Sequence, residues 1–425
     1  MKLMHISDLH LGKRLNEFSL IEDQRYILQE IVALVRQEQP AVLLIAGDIY
    51  DKSIPPVEAV QLFDGFLNAM AKLGVPVGIT IGNHDSAERL SFGAQLLQQA
   101  GVHVSTCYDG EVQRLELADE HGPVIIYLLP FLKPIIVRHA LAQVAAAKAS
   151  TAGEGGAEQG VLQFDAEEAA ANEAEEQAIT SYHEAVQAAL GRIAIDTTQR
   201  NILVAHQYVT GASPAGSESI NVNVGGLDNV GAEAFADFDY VALGHIHGAQ
   251  NITVPGRSTL LHYSGTPLKY SFKEVNDTKS VTIIELGEKG KVELNTLPLT
   301  PLRELRKLRG TYEELMTRTT YAELPVDSDG RLKDFFHITL TDEKDVPEAV
   351  AKLRSVYKNL LELTYDNRRT RNMKQVQADE KIEEKSSLEL VSDFYKLQNG
   401  GALEAEPQRF VQALLERLEE KEAKA

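Results

Sequence analysis

The sequence predicts a layered α/β protein that carries a smaller α+β domain and a C-terminal pair of helices. Three observations predict it. Short apolar runs alternate with segments of helical spacing along the first third of the chain. Each run ends in a polar loop, and the loops hold most of the Asp, Asn and His residues with metal-ligand chemistry. Ligands of such sheets bind outside the carboxyl ends of the strands, so these loops read as one site.

Lys2 to Ile6 is a short strand that delivers Ser7-Asp8-Leu9-His10. Asp8 and His10 stand at i and i+2, which on extended backbone aims both at one point. Helical spacing (Ile27, Ile31, Leu34, Val35) covers Asp23 to Gln37 and stops before Pro40. Ala41 to Ala46 is a fully apolar strand running into Gly47-Asp48-Ile49-Tyr50-Asp51. A helix from about Val57 to Leu73 follows, then a strand, Val75 to Ile81, running into Gly82-Asn83-His84-Asp85, then a helix over roughly Glu88 to Gln99. Val124 to Leu129 is a further strand. Asn201 to Ala205 delivers His206, and Tyr240 to Leu243 delivers Gly244-His245-Ile246-His247. Thr259 to Tyr263, Val281 to Glu285 and Val292 to Leu297 close the domain, which spans 1–300.

Between 148 and 176 the composition turns to Ala, Gly and Glu, with eight acidic residues against one lysine, as in a solvated insertion. Composition shifts again near Pro298 to Pro301. Residues 301–374 read as the α+β domain: a basic stretch (Arg303, Arg306, Lys307, Arg309), a strand from Phe336 to Leu340, helical spacing from Val346 to Leu361 and basic Arg368 to Arg371. These basic residues divide between touching a DNA backbone and forming a solvated face. A charge-rich linker, 375–385, leads to amphipathic helices at about Leu388 to Leu397 and Pro407 to Glu420. Their apolar faces read as a docking surface for a partner.

The 425 residues suit two or three domains. No apolar run approaches a membrane span, and Asp8 leaves no room ahead of it for a cleavable signal peptide. One cysteine, Cys107, allows no internal disulfide and fits a reducing cytoplasm. The formal charge of −20 lacks the basic balance of a protein that grips nucleic acid alone. Either the substrate is not nucleic acid or a partner supplies much of the grip.

The strand ends together offer Asp8, His10, Asp48, Asn83, His84, His206, His245 and His247. Carboxylate, imidazole and amide donors without thiolates suit two transition-metal ions with open positions, not a closed structural zinc site. Asp48, with two oxygens, is the natural bridge. The matching reaction is two-metal phosphoester hydrolysis, in which His84 is the candidate for leaving-group protonation and Asp85 a candidate to fix its tautomer.

Asp8-Leu9-His10, Gly47-Asp48-Ile49-Tyr50-Asp51, Gly82-Asn83-His84-Asp85, His206 and Gly244-His245-Ile246-His247 resemble, in order and spacing, the motifs of the calcineurin-like metallophosphoesterases. The opening Met1 to Gly12 and the run Gly82 to Leu90 resemble more narrowly the nuclease subunits of bacterial DNA repair and recombination complexes. That resemblance covers the whole chain. It implies a layered metallophosphoesterase sandwich, a capping domain (301–374) and C-terminal helices (386–425) gripping a coiled-coil ATPase. It implies that Asp8, His10 and His247 hold one ion and Asn83, His206 and His245 the other, with Asp48 bridging. It also implies manganese and a homodimer built through the helices after the second and third motifs. The activity it implies is ATP-dependent double-strand exonuclease and single-strand or hairpin endonuclease, exercised in the cytoplasm at the nucleoid. A stand-alone phosphodiesterase or protein phosphatase is the rival reading; it has little use for a capping domain and terminal helices.

Overall fold

The computed structural model describes residues 1–152, 179–215, 218, 229–367, 370 and scattered positions beyond (388, 391, 392, 395, 407, 408, 410–412, 414 and 415). The acidic stretch from 153 to 176, the 375–385 linker and all but those positions of the terminal helices lie outside the described residues.

Two six-stranded sheets face each other. The first contains β1 (Lys2–Ile6), β4 (Val42–Ala46), β5 (Val77–Thr80) and β6 (Val102–Val104), all parallel, with β13 (Ser280–Leu286) and β14 (Val292–Pro298) antiparallel at the β1 side. The second contains β8 (Gly122–Leu129), β9 (Arg200–His206), β10 (Tyr240–Gly244) and β12 (Leu260–Tyr263) in parallel. It is edged by antiparallel β7 (Gln113–Asp119) and β11 (Gln250–Thr253). A two-stranded hairpin, β2 (Arg14–Leu15) and β3 (Phe18–Ser19), follows the first site loop.

The apolar strands are buried on both faces, which is why they read as unbroken runs. Their inner faces meet in a core of Leu3, Val42, Leu44, Val124, Ile126, Ile202, Val204 and Ala242. Helices α1 (Ile21–Glu38) and α2 (Val57–Leu73) cover the outer face of the first sheet with Ile27, Ile31, Leu62, Phe63 and Phe66. Helices α5 (Pro134–Ala152) and α6 (Tyr182–Gly191) cover the second with Val137, Ala140, Ala185 and Val186. The result is a helix–sheet–sheet–helix sandwich whose central strands end at a common rim.

A third, wholly parallel sheet is formed by β15 (Leu305–Gly310), β16 (Phe335–Leu340) and β17 (Leu360–Tyr365), with its own core of Leu315, Phe336, Ile338, Leu353 and Tyr357. Its near edge packs Leu305 and Phe335 into the first-sheet core. Arg303 pairs with buried Asp23 and lies 4.6 Å over the Phe335 ring. Lys269 and Glu304 meet at 2.9 Å.

The structure adds elements the sequence reading lacked, β7, α5 and α6 among them, and recasts three segments. The helix expected over Glu88 to Gln99 is two short ones, α3 (Ala87–Leu90) and α4 (Ala94–Gln99), broken where Gly93 takes φ +72°. Val346 to Leu361 holds only α9 (Ala349–Arg354) before β17 begins, since Leu360 and Leu363 serve a sheet face; α7 (Tyr312–Met316) and α8 (Arg318–Tyr321) precede it. The basic stretch near Arg303 is largely strand β15, and three of its cations are paired: Arg303 with Asp23, Arg306 with Asp334 at 2.5 Å, and Arg309 with Asp366 at 2.7 Å. No helix of the described residues is long and apolar enough to cross a membrane.

Candidate metal centre

Five strand ends build the centre. From the first sheet, β1 delivers Asp8 and His10, β4 delivers Asp48, and β5 delivers Asn83 and His84. From the second, β9 ends on His206 and β10 leads into His245 and His247. The first two loops are zipped by backbone bonds from Asp8 N–H to the Gly47 carbonyl (3.1 Å), His10 to Asp48 (3.0 Å) and Leu11 to Ile49 (2.9 Å). Among the described residues seven non-glycine positions take positive φ, and Asp8, His10, Asp48 and His245 are four of them. Such backbone costs about 1–3 kcal/mol per residue. Its concentration here shows that the loops are bent to bring side chains together, not to relax the chain.

The glycines of the motifs make the approach possible. A Cβ on Gly82 would lie 2.1 Å from Asp48 Oδ1, and one on Gly47 2.4 Å from His206 Nδ1.

Every expected ligand converges. Asp48 Oδ2 lies 3.4 Å from His206 Nε2, 3.6 Å from His10 Nε2 and 4.0 Å from His84 Nε2. On one side His10 Nε2 faces His247 Nε2 at 3.1 Å, and Asp8, His10 and His247 each bring a ligand atom within 4.8 Å of the others. On the other side Asn83 Oδ1 sits 3.1 Å from His206 Nε2 and 3.0 Å from His245 Nδ1. Asp8 itself is oriented by Ser7 Oγ–H and by the His245 N–H at 3.1 Å. Asp8, His10, Asp48 and His206 are nearly inaccessible, whereas Asn83 and His84 stand at the rim.

The hydrogen bonds fix what these atoms can do. His206 Nδ1–H donates to the Ala46 carbonyl at 2.8 Å, so its Nε2 carries a lone pair in the neutral ring. That nitrogen faces the Asn83 carbonyl oxygen and the Asp48 carboxylate, so the space between them calls for a positive centre, a proton on Nε2 or a metal ion. Buried acceptors facing one another are costly unless a proton or cation lies between them.

The titration behaviour agrees. Burial pushes His206 down, but the Asp48 carboxylate beside it outweighs this and lifts it to about 9. Asp48, which burial would raise, is held well below the usual carboxylate range by His206 and His10. Burial and the Asp48 charge push Asp8 up to about 7. Burial takes His10 and His245 down to about 3, leaving them neutral and free to ligate. A bound cation answers all of these demands together. The donor set therefore fits two divalent ions flanking Asp48.

The remaining motif residues have different partners from those expected. His84 Nδ1 is hydrogen-bonded to the Asp51 backbone carbonyl at 2.9 Å, so Asp51, not Asp85, sets its tautomer. The Asp85 carboxylate instead accepts the backbone N–H groups of Ile49 (3.1 Å), Tyr50 (3.0 Å) and Gly82 (3.0 Å), stapling the second loop to the third. Asp51 Oδ1 meets Lys13 Nζ at 2.6 Å and His10 Nδ1 at 3.7 Å. Two supporting residues carry no motif. Gln24 Nε2 donates to the His10 carbonyl at 2.7 Å while its Oε1 accepts the Gly12 N–H at 2.9 Å, and Tyr270 donates to the Leu9 carbonyl. The signal for Gln24 was available: it is a polar residue in the apolar stripe of α1, in step with Ile27 and Ile31.

Comparison with known proteins agrees with this geometry. Residues 1–249 match the calcineurin-like phosphoesterase family, and residues 301–399 match a family described as the type 5 capsule protein repressor C-terminal domain. The SbcD subunit of the SbcCD nuclease from Staphylococcus saprophyticus is 30% identical over 372 residues, 86% of this chain and 84% of its own length. Its counterpart of the same name from Staphylococcus epidermidis is 28% identical over 400 residues, 93% of either chain. A dimetal phosphatase from Danio rerio superposes with a TM-score of 0.38 at 10% identity, covering 71% of this chain and 98% of its own, a likeness too loose to argue from. With a family match over more than half its length and relatives aligned along most of it, the chain belongs to the calcineurin-like phosphoesterases and, among them, to the SbcD subunits of SbcCD nucleases.

Proposed function

We propose that this chain hydrolyses DNA phosphodiesters at a centre of two divalent ions, as the nuclease subunit of a complex with an SbcC-type coiled-coil ATPase. The observation that carries the reading is Asp48 Oδ2, which stands between the His10 and His206 nitrogens at 3.6 and 3.4 Å with a separate ligand group on each side. Asp8, His10 and His247 would hold one ion and Asn83, His206 and His245 the other, with Asp48 shared between them. Manganese suits this mixture of carboxylate, amide and imidazole. Ions bound there supply a water acidified toward pKa ~7 and positive charge for the phosphate oxygens.

The chain's own contribution to proton transfer centres on His84. Its Nδ1 faces a carbonyl, which only accepts, so Nδ1 stays protonated in either charge state and Nε2 is the nitrogen that gains and loses a proton. That nitrogen points toward Asp48 Oδ2 from the rim, where a leaving alkoxide would emerge. His84→Gln is expected to keep the full metal complement while cleavage falls by about 10²–10⁴-fold, the usual contribution of a general acid. Metal loss in step with activity would make His84 a ligand.

Residues 1–300 act as the nuclease domain and 301–374 as a capping domain over its rim. Residues 386–425, amphipathic in sequence, dock the ATPase, which supplies the DNA grip that the charge of −20 withholds. Exposed Val57, Val60, Phe92 and Leu96, on α2 and around α4, support a homodimer through those helices. The work is done in the cytoplasm, on double-strand ends and hairpins of the nucleoid DNA.

The deciding experiment is manganese-dependent cleavage of a labelled DNA hairpin, with and without the ATPase and ATP. Cleavage that needs the metal and rises with the partner is expected. Brisk hydrolysis of a generic phosphodiester with no DNA cleavage in either condition would overturn the nuclease reading.

Metal removal supplies a second check. Because the folded chain gathers these ligands and the unfolded chain does not, saturating manganese is expected to raise the thermal midpoint of the chelator-treated protein by several degrees, about 2.7 kcal/mol at a hundredfold excess over Kd. An unchanged midpoint would mean that the centre does not bind the metal.

A further inference from the structure

Against the His247 backbone lies an ion pair that the chemistry does not use. Lys279 Nζ and Glu274 Oε2 meet at 2.6 Å, with side chains 7% and 0% exposed. Lys and Glu are almost never buried this deeply unless paired, and a well-packed apolar pair would hold the same region of a fold as well or better. An apolar pair would lose the polar contacts of both side chains: Glu274 Oε2 faces the Tyr270 N–H at 3.5 Å and Lys279 Nζ lies 3.7 Å from Asp277 Oδ2. Lys279 Nζ also donates to the His247 carbonyl oxygen at 3.0 Å.

That carbonyl is held from a second direction by the Thr266 N–H at 3.1 Å. Gly265, at φ +71°, passes so close that a Cβ there would lie 2.6 Å from the same oxygen. The preceding amide is engaged too, since His247 N–H donates to Glu218 Oε1 at 2.9 Å. His247 lies past the end of β10, in a turn with no strand partner of its own, yet its ring must meet Asp8 and His10, which come from the other sheet. Groups that orient a metal ligand typically change metal affinity 10–100-fold when removed.

We propose that the buried Lys279–Glu274 pair is a positioning device for His247: it fixes that residue's backbone and thereby sets the affinity of the metal site shared with Asp8 and His10, without touching metal or substrate. The inference rests on the two-metal reading. It further states that the Asn83–His206–His245 site, anchored through Ala46 and β9, is independent of the pair.

The test is manganese binding by the metal-free full chain, with free Mn²⁺ followed by electron paramagnetic resonance. The wild type is expected to bind two ions. Lys279→Gln keeps an amide to satisfy Glu274 but shortens the reach to the His247 carbonyl. It is expected to bind one ion with wild-type affinity and the second 10–100-fold more weakly. The double variant Lys279→Met, Glu274→Leu removes both charges, leaves no buried carboxylate unpaired, and is expected to show the same selective loss if Lys279→Gln fails to fold. Two ions bound with wild-type affinity, or both weakened alike, would overturn the proposal. A wild type that binds fewer than two ions would instead sink the two-metal reading.

Discussion

Asp48→Asn is expected to abolish manganese-dependent cleavage, by about 10³-fold or more, and to leave less than one tightly bound ion per chain. The substitution preserves shape. Asp48 Oδ1 accepts the His84 N–H at 3.0 Å, and an amide oxygen can do the same, so the loop should close as before. The other oxygen is the one that changes. It faces the Nε2 atoms of His206 and His10, and an amide NH₂ there aims donors at lone pairs that a cation should occupy. The centre loses the charge common to both ligand groups, worth several kcal/mol of transition-state stabilisation, with each 1.36 kcal/mol a factor of ten in rate. Metal counted per chain after gel filtration, beside hairpin cleavage, checks it. The contrast with His84→Gln, which should lose rate but not metal, separates ligand from proton donor. A variant that keeps two ions and activity within tenfold of wild type would remove Asp48 from the bridge.

What the sequence discloses of this fold follows from burial. β1, β4, β5, β9 and β10 are covered on both faces, so they appear as continuous apolar runs, and their ends are marked by the polar loops that follow. The ligands were legible because each lies at or within a few residues of such an end. β7 was not, since it is an edge strand whose outer positions are charged (Arg114, Glu116), as edges exposed to solvent tend to be. β15 hid for a related reason: its cations looked like a patch, and only tertiary partners such as Asp334 and Asp366 show them paired. Asp85 shows the limit most sharply. Spacing places a carboxylate beside His84, but whether it accepts from an imidazole or from three backbone amides is decided by how two loops cross. Lys279 had no signal, because a positioning lysine outside any motif looks like every other lysine.

The crossing of the loops also predicts where the smallest insertion does the most damage. Gly244→Ala is expected to destabilise the fold by about 4 kcal/mol or more and to take metal binding with it. A Cβ on Gly244 would stand 1.8 Å from the Ala46 carbonyl oxygen and 2.7 Å from His206 Nδ1. Those are the two atoms of the bond that fixes the His206 tautomer, and both belong to strands, β4 and β9, with no room to retreat. Relief requires the two sheets to part at the rim, which separates Asp48 on one from His206 and His245 on the other. Gly65→Ala is the matched control. Gly65 lies mid-way along α2, is exposed, and has nothing within 4 Å of its added methyl, so the same change there should stabilise by up to about 1 kcal/mol through helix propensity. Thermal melts of the two variants, with manganese content measured alongside, therefore test a sign as well as a size. If Gly244→Ala melted with the wild type and kept its metal, the tight passage of β10 beneath β4 would not be what holds the two halves of the centre in register.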